Sequence, residues 1–150
     1  MDAIDRKILR ALQRDGRQSL QELSETVGLS PSPCARRLRR LEEARIITGY
    51  AALIDESRIG FGVSVFVSVK LDKQVDEAMG AFEAAIQSYP EVVDCWLMTG
   101  GRDYLLRVAT GNLAEFGAFR AGGLTRAPGV GWIESSIPLR GVKAGISRSV

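Results

Sequence analysis

The sequence predicts an α+β chain in two parts, a helical N-terminal third followed by a sheet domain of order βαββαβ. Three observations predict it. Apolar residues recur three and four apart through most of residues 1–50. Strict two-residue alternation sets in at Val63. Two later segments return to helical spacing between runs of extended character.

In the first part, Ile4, Ile8, Leu9 and Leu12 form one helical stripe, with Asp2 as its N-cap and Asp15-Gly16 as its stop. Ser19-Leu20-Gln21-Glu22 has the form of a capping box, in which the serine oxygen and the glutamate carboxylate each accept from an orphan N–H of the other's residue. Leu20, Leu23 and Val27 then mark the buried face of a short second helix, and Gly28 suits a left-handed turn at its end. Ser30-Pro31 opens a third helix, with Ser30 as N-cap and Pro31 at the first position, where its missing N–H costs nothing. Cys34, Leu38 and Leu41 point inward from it. Two short helices joined at a glycine have the layout of a helix-turn-helix.

Ile46 to Ile54 reads as an extended connection. Val63, Val65, Val67, Val69 and Leu71 alternate with Ser64, Phe66, Ser68 and Lys70 and predict the first strand. Val75, Met79, Phe82, Ile86 and Tyr89 predict a helix ended by Pro90. Val92 to Thr99 and Tyr104 to Ala109 are the next two strands, joined by the tight Gly100-Gly101-Arg102-Asp103 connection. Leu113, Phe116 and Phe119 predict a helix weakened by Gly122-Gly123, and Val130 to Leu139 the last strand. The order is that of a ferredoxin-like split βαβ. The expected domains are 1–45 (helix-turn-helix), 46–60 (extended linker) and 61–150 (sheet domain).

Composition narrows the function. The chain holds no histidine, so no imidazole is available as a base or metal ligand. Cys34 and Cys95 are far apart and form no CxxC; both are expected to be reduced and buried in a cytoplasmic protein. No catalytic constellation, metal cluster or cofactor motif can be assembled, and no run reaches the ~18 apolar residues of a membrane helix. Residues 1–50 carry ten Lys+Arg against seven Asp+Glu, net +3, whereas the rest nets −1. The basic excess peaks on the third helix, at Arg36, Arg37, Arg39 and Arg40. Four arginines in five residues repel one another unless an anion neutralises them. With Ser30 and Ser32 near the helix start, these side chains suit guanine edges and phosphate oxygens of double-stranded DNA. The plainer reading is a solvated face paired to Glu42 and Glu43 one turn on.

Asp5-Arg6-Lys7-Ile8-Leu9, Glu22-Leu23-Ser24, Val27-Gly28-Leu29-Ser30-Pro31-Ser32-Pro33-Cys34, Arg37-Leu38-Arg39-Arg40-Leu41-Glu42, Thr99-Gly100-x-x-Asp103-Tyr104 and Pro128-Gly129-Val130 together resemble the Lrp/AsnC family, the leucine-responsive regulatory proteins. The resemblance covers nearly the whole chain. It implies a winged-helix-like DNA-binding domain hinged to a ferredoxin-like domain, in a transcriptional regulator that forms homodimers and often homo-octamers. It also implies an amino-acid effector held between subunits, at Gly100, Gly101, Arg102, Asp103 and Tyr104, with Ser136, Ile137 and Pro138 of the last strand as a second wall. In that role a glycine turn offers N–H groups to a carboxylate, and Asp103 accepts from an α-ammonium. Without the resemblance, Gly100–Asp103 reads as a hairpin turn.

The chain departs from the family at Arg45, where glycine is usual after the third helix, at Arg102, which is placed to pair with Asp103, at Pro138 and at Arg140-Gly141. Two other functions stay open: an architectural DNA-binding protein with no effector, and an enzyme similar to the sirohaem decarboxylases, whose chemistry is expected to use histidine.

Overall fold

The computed structural model describes residues 1–143, so the last seven residues of the expected 61–150 domain lie outside the described residues. The described chain falls into two compact units, Met1–Leu53 and Ile54–Val142.

The first unit is three helices, α1 (Ala3–Arg14), α2 (Leu20–Val27) and α3 (Pro31–Glu43). Asp2 caps α1 in a reciprocal box with Asp5, and Ser19 caps α2 in one with Glu22. Gly28 ends α2 at φ 77°, in the left-handed region that glycine enters without a Cβ clash. Ile8, Leu9, Leu23, Val27, Cys34 and Leu41 are buried together, with Ile4, Leu12, Leu38 and Ile47 packed against them. Leu20, expected inside, is exposed: as the first residue of α2 it precedes the turn that packs on α1.

The α3 helix closes in a Schellman arrangement. Ile46 N–H donates to Leu41 O and Arg45 N–H to Glu42 O, both at 3.0 Å. That motif needs a left-handed residue at position 45, and Arg45 supplies it at φ 55°, the one non-glycine residue with positive φ among those described. In the expected extended linker, residues 46–55 form no strand, and Glu56–Ile59 instead winds into a 3-10 turn capped by Asp55.

The second unit runs β1 (Val63–Leu71), α4 (Asp76–Ile86), β2 (Val92–Leu97), β3 (Tyr104–Thr110), α5 (Leu113–Gly122) and β4 (Val130–Ser136). The four strands form one antiparallel sheet of order β2-β3-β1-β4. Because side chains alternate across a sheet, Val65, Val67 and Val69 of β1 share a face with Tyr104, Leu106 and Val108 of β3. All six are buried against Phe82 and Ile86 of α4 and Phe116 of α5. The opposite face carries half-buried Phe66 and Leu105 and exposed Trp96 and Trp132.

Several ends differ from expectation, among them that of β2, which stops at Leu97 and not at Thr99. Helix α4 covers Asp76–Ile86, so Val75 is an exposed N-cap and Tyr89 lies beyond the helix. A 3-10 turn at Leu124–Arg126 follows α5. Strand β4 stops at Ser136, before Ile137 and Pro138, since the Pro138 ring has no N–H for a ladder. Among the described residues no helix is long and apolar enough to cross a membrane.

Arg45 holds a conformation that costs a side-chain-bearing residue about 1 kcal/mol or more, partly offset by the larger unfolded-state entropy of glycine. Arg45→Gly is therefore expected to raise stability by up to about 1 kcal/mol, read as an increase in urea midpoint; a lower midpoint would show that the arginine side chain stabilises the turn by more than its strain.

Candidate functional site

Two regions hold the side chains singled out by sequence. The first is α3. With Cys34 and Leu41 buried and Leu38 half-buried, Ser32, Arg36 and Arg39 lie exposed on the outer side, and Ser30 stands exposed at the helix start. Ser30 occupies the N-cap position, yet its hydroxyl makes no capping bond. It is open to an external partner.

Arg37 and Arg40 are differently placed. The Arg37 Nη1 donates to Asp2 Oδ2 at 2.6 Å and to Asp5 Oδ1 at 2.9 Å, and Arg40 Nη2 donates to Asp5 Oδ2 at 2.7 Å. The Asp5 side chain is only 1% exposed, so the α1 carboxylate that receives both guanidinium groups is out of water. Asp5 Oδ2 also accepts the Asp2 N–H at 3.0 Å. These donors favour the ionised form. The Asp5 backbone N–H and then the Arg37 guanidinium hold the Asp2 carboxyl down from the ordinary 3.8 to about 2. Asp5 is lowered too, first by the Asp2 N–H and against the opposing effect of burial, and Arg37 is raised by its two carboxylates. The pairing to Glu42 and Glu43 that the sequence allows is not what binds these arginines; Glu42 Oε1 instead accepts from the Tyr50 hydroxyl at 2.9 Å.

The second region is the turn between β2 and β3. Gly100 sits at φ 107°, which only glycine enters without strain, and Gly100 and Gly101 are exposed. Asp103 is buried at 7% exposure. One carboxylate oxygen accepts the Leu71 N–H at 2.7 Å and the other the Gln74 side-chain amide at 2.5 Å. Its own N–H donates to Val69 O, so both its backbone and its side chain lock the turn onto the end of β1. Tyr104 is buried against Phe82, with ring centroids 4.6 Å apart, and its hydroxyl donates to Glu83 at 2.7 Å. Burial, then this bond to Glu83, pushes the phenol above its ordinary range.

Arg102 does not pair with Asp103, which has its donors already. Its guanidinium lies 3.9 Å from the centre of the Trp132 ring and donates to Glu134 at 3.2 Å. Within one chain, Trp132 and Glu134 therefore flank the turn. Ser136 does not: it pairs with Phe66, whereas Tyr104 pairs with Val69. Three residues of strand separate those levels, about 10 Å. Ser136, Ile137 and Pro138 are all exposed.

Sequence reasoning missed Asp5, Gln74, Trp132 and Glu134. Only Asp5 left a signal: Asp2 and Asp5 lie one turn apart, as do Arg37 and Arg40.

Residues 1–42 match the AsnC-type helix-turn-helix domain, and residues 64–147 match the Lrp/AsnC ligand binding domain. The chain is 49% identical over 142 residues to the Bkd operon transcriptional regulator of Pseudomonas aeruginosa, covering 95% of this chain and 93% of that one. It is 43% identical over 143 residues to a leucine-responsive regulatory protein of Rhizobium meliloti, covering 95% and 92%. Among solved structures, a transcriptional regulator of Neisseria meningitidis in complex with L-Met aligns with a TM-score of 0.94 at 38% identity, covering 99% of this chain and 96% of that one.

The arrangement around Asp103 yields a prediction. Asp103→Ala leaves the buried Leu71 N–H without an acceptor, which costs about 1–3 kcal/mol. Urea unfolding without any ligand is expected to register that loss. Undiminished stability would mean that the carboxylate does not hold the turn.

Proposed function

The chain belongs to the Lrp/AsnC family of transcriptional regulators, and from that premise we propose that α3 reads DNA and that the Gly100–Tyr104 turn senses an amino acid. The observation that carries this reading is the outer side of α3, where Ser30, Ser32, Arg36 and Arg39 are exposed on a helix whose inner side is fixed by a core and by ion pairs. Guanidinium groups bind guanine O6/N7 or phosphate in two-pronged fashion, and hydroxyls near a helix N-terminus contact either. Two copies related by a two-fold axis would present two such helices to half-sites about one helical turn apart.

The assembly reading is a homodimer, extending to an octamer. Helices cover one side of the sheet, while Trp96 and Trp132 stand 44% and 41% exposed on the other, an apolar surface that a second copy would cover. A methionine-bound relative of similar fold supports an amino-acid effector. In this reading Gly100 and Gly101 offer N–H groups to the carboxylate. Asp103 holds the turn's shape, a change from the ammonium-binding role expected from sequence. Ser136, Ile137 and Pro138 join the site only from another copy. In this reading the protein acts in the cytoplasm as a binding protein.

On a duplex selected from a random pool, Arg36→Gln and Arg39→Gln are each expected to weaken binding. Removing a guanidinium that grips phosphate flattens the plot of log affinity against log salt by ~0.9, and removing one that reads a base edge relaxes preference at one position. If both variants bind like the parent, α3 is not the reading helix.

For sensing, a thermal-shift screen of the twenty amino acids is expected to find one, apolar or small, that stabilises the chain. A hundredfold excess over Kd corresponds to about 2.7 kcal/mol. A flat screen at millimolar concentration favours an effector-independent regulator, a reading that the structural use of Asp103 also suits.

A further inference from the structure

We propose that Asp5, on α1, is a positioning residue of the DNA-reading helix: it withholds Arg37 and Arg40 from DNA and leaves phosphate contact to Arg36 and Arg39. The proposal rests on the reading of α3 given above and adds to it which of the four arginines carry available charge.

The geometry divides the cluster in two. Arg36 and Arg39 are exposed, with no ion pair to a carboxylate among the described residues. Arg37 and Arg40 meet one carboxylate from both of its oxygens, at 2.9 and 2.7 Å. The two pairs are not equally released by solvent. Arg40 is 60% exposed along its side chain and would pass for a free cation by accessibility alone, but its partner is 1% exposed. A guanidinium that left for a DNA phosphate would strand part of the charge of a buried carboxylate, and an uncompensated buried charge costs far more than a surface pair returns. Asp2, 51% exposed, adds a second hold on Arg37 alone.

The consequence is a limit on non-specific affinity. Each additional phosphate contact strengthens binding to every sequence alike, so it raises background binding as much as target binding. Two arginines sequestered on the reading helix fix the orientation of α3 against α1 without adding to that background. The four arginines are thereby split into two that orient the helix and two that face outward.

The test compares full-length variants on a selected duplex and on a duplex of scrambled sequence, across a salt series. Asp5→Asn keeps the size of the side chain and one amide oxygen to accept the Asp2 N–H, but removes the charge that holds Arg40 and leaves Arg37 only its exposed partner Asp2. The salt slope on scrambled DNA is expected to steepen by ~0.9 for each arginine that gains a phosphate, up to ~1.8 per protomer, and the ratio of selected to scrambled affinity to fall. A merely structural role for Asp5 would lower melting temperature and affinity without steepening the slope, and that result overturns the proposal. Arg40→Gln is the second arm, and it applies if Asp5→Asn does not fold. It leaves Asp5 paired with Arg37, and the slope is expected to stay at the parent value; flattening by ~0.9 per protomer would show Arg40 on phosphate and sink the idea. The Arg36→Gln, Arg39→Gln double variant separates the two levels of inference. Flattening by ~1.8 per protomer there supports the underlying reading whatever Asp5 does; an unchanged slope overturns the assignment of phosphate contact to Arg36 and Arg39, and an unchanged slope together with unchanged sequence preference overturns the underlying reading as well.

Discussion

An ionised carboxylate taken out of water must be given donors, because an unpaired buried charge costs several kcal/mol. Among the described residues, two carboxylates impose that requirement, one in each unit. Asp5 recruits the Asp2 N–H from its own helix and two guanidinium groups from α3, so α1 and α3 are tied by charge in addition to their shared apolar core. Asp103 recruits the Leu71 N–H from β1 and the Gln74 amide from the segment before α4. That fixes the β2–β3 turn to the end of the central strand. In both units the region assigned a binding role lies next to a buried acid that does not itself face outward.

The two acids differ in what they neutralise. Asp103 is met by neutral donors, so the turn it builds has no compensating cation, and Arg102 is left to stack on Trp132 and reach Glu134. Asp5 is met by cations, so it shapes α3 and also subtracts from the charge that α3 can offer a ligand. Arginine suits this better than lysine. Its guanidinium stays charged and is more weakly hydrated than an ammonium, which suits pairing with a buried carboxylate; Arg37 meets Asp2 and Asp5 through Nη1, and Arg40 takes the remaining Asp5 oxygen.

Much of the architecture is legible in the sequence because its signals are local. The Asp2 cap, the Ser19–Glu22 capping box, the Gly28 turn, the Pro31 start and the alternation from Val63 to Leu71 each depend on residues within a few positions of one another, and the structure realises all of them. The differences between expectation and structure have a shared cause. Asp5 and Arg37 are 32 positions apart, and Gln74 and Asp103 are 29 apart. No periodicity links such pairs; only the packed fold does. The stripe through Leu20 predicts a direction for its side chain, but whether a neighbour lies in that direction is tertiary information. Apolar Ile137 and Leu139 continue the pattern of β4, and the missing Pro138 N–H outweighs them. For the site, residue types are legible and their tasks are not: Asp103 and Arg37 are polar residues near a binding region whose bonds are already made internally.

Charge counting shows the same limit in a form that bears on mechanism. Residues 1–50 net +3, which suits a phosphate-binding surface. A net charge sets the far field, and pairing Arg37 and Arg40 with Asp2 and Asp5 leaves it unchanged, because cations and anions cancel wherever they sit. What pairing changes is the near field. Within a Debye length of about 8 Å at physiological salt, a phosphate responds to individual guanidinium groups. Two of those on α3 already have a carboxylate at hydrogen-bond distance. Composition therefore describes how strongly the unit is drawn toward DNA, and the ion-pair geometry describes how many phosphates it can grip on arrival. The two quantities are separable, and in this fold the second is governed by an acid on a helix other than the one that carries the arginines.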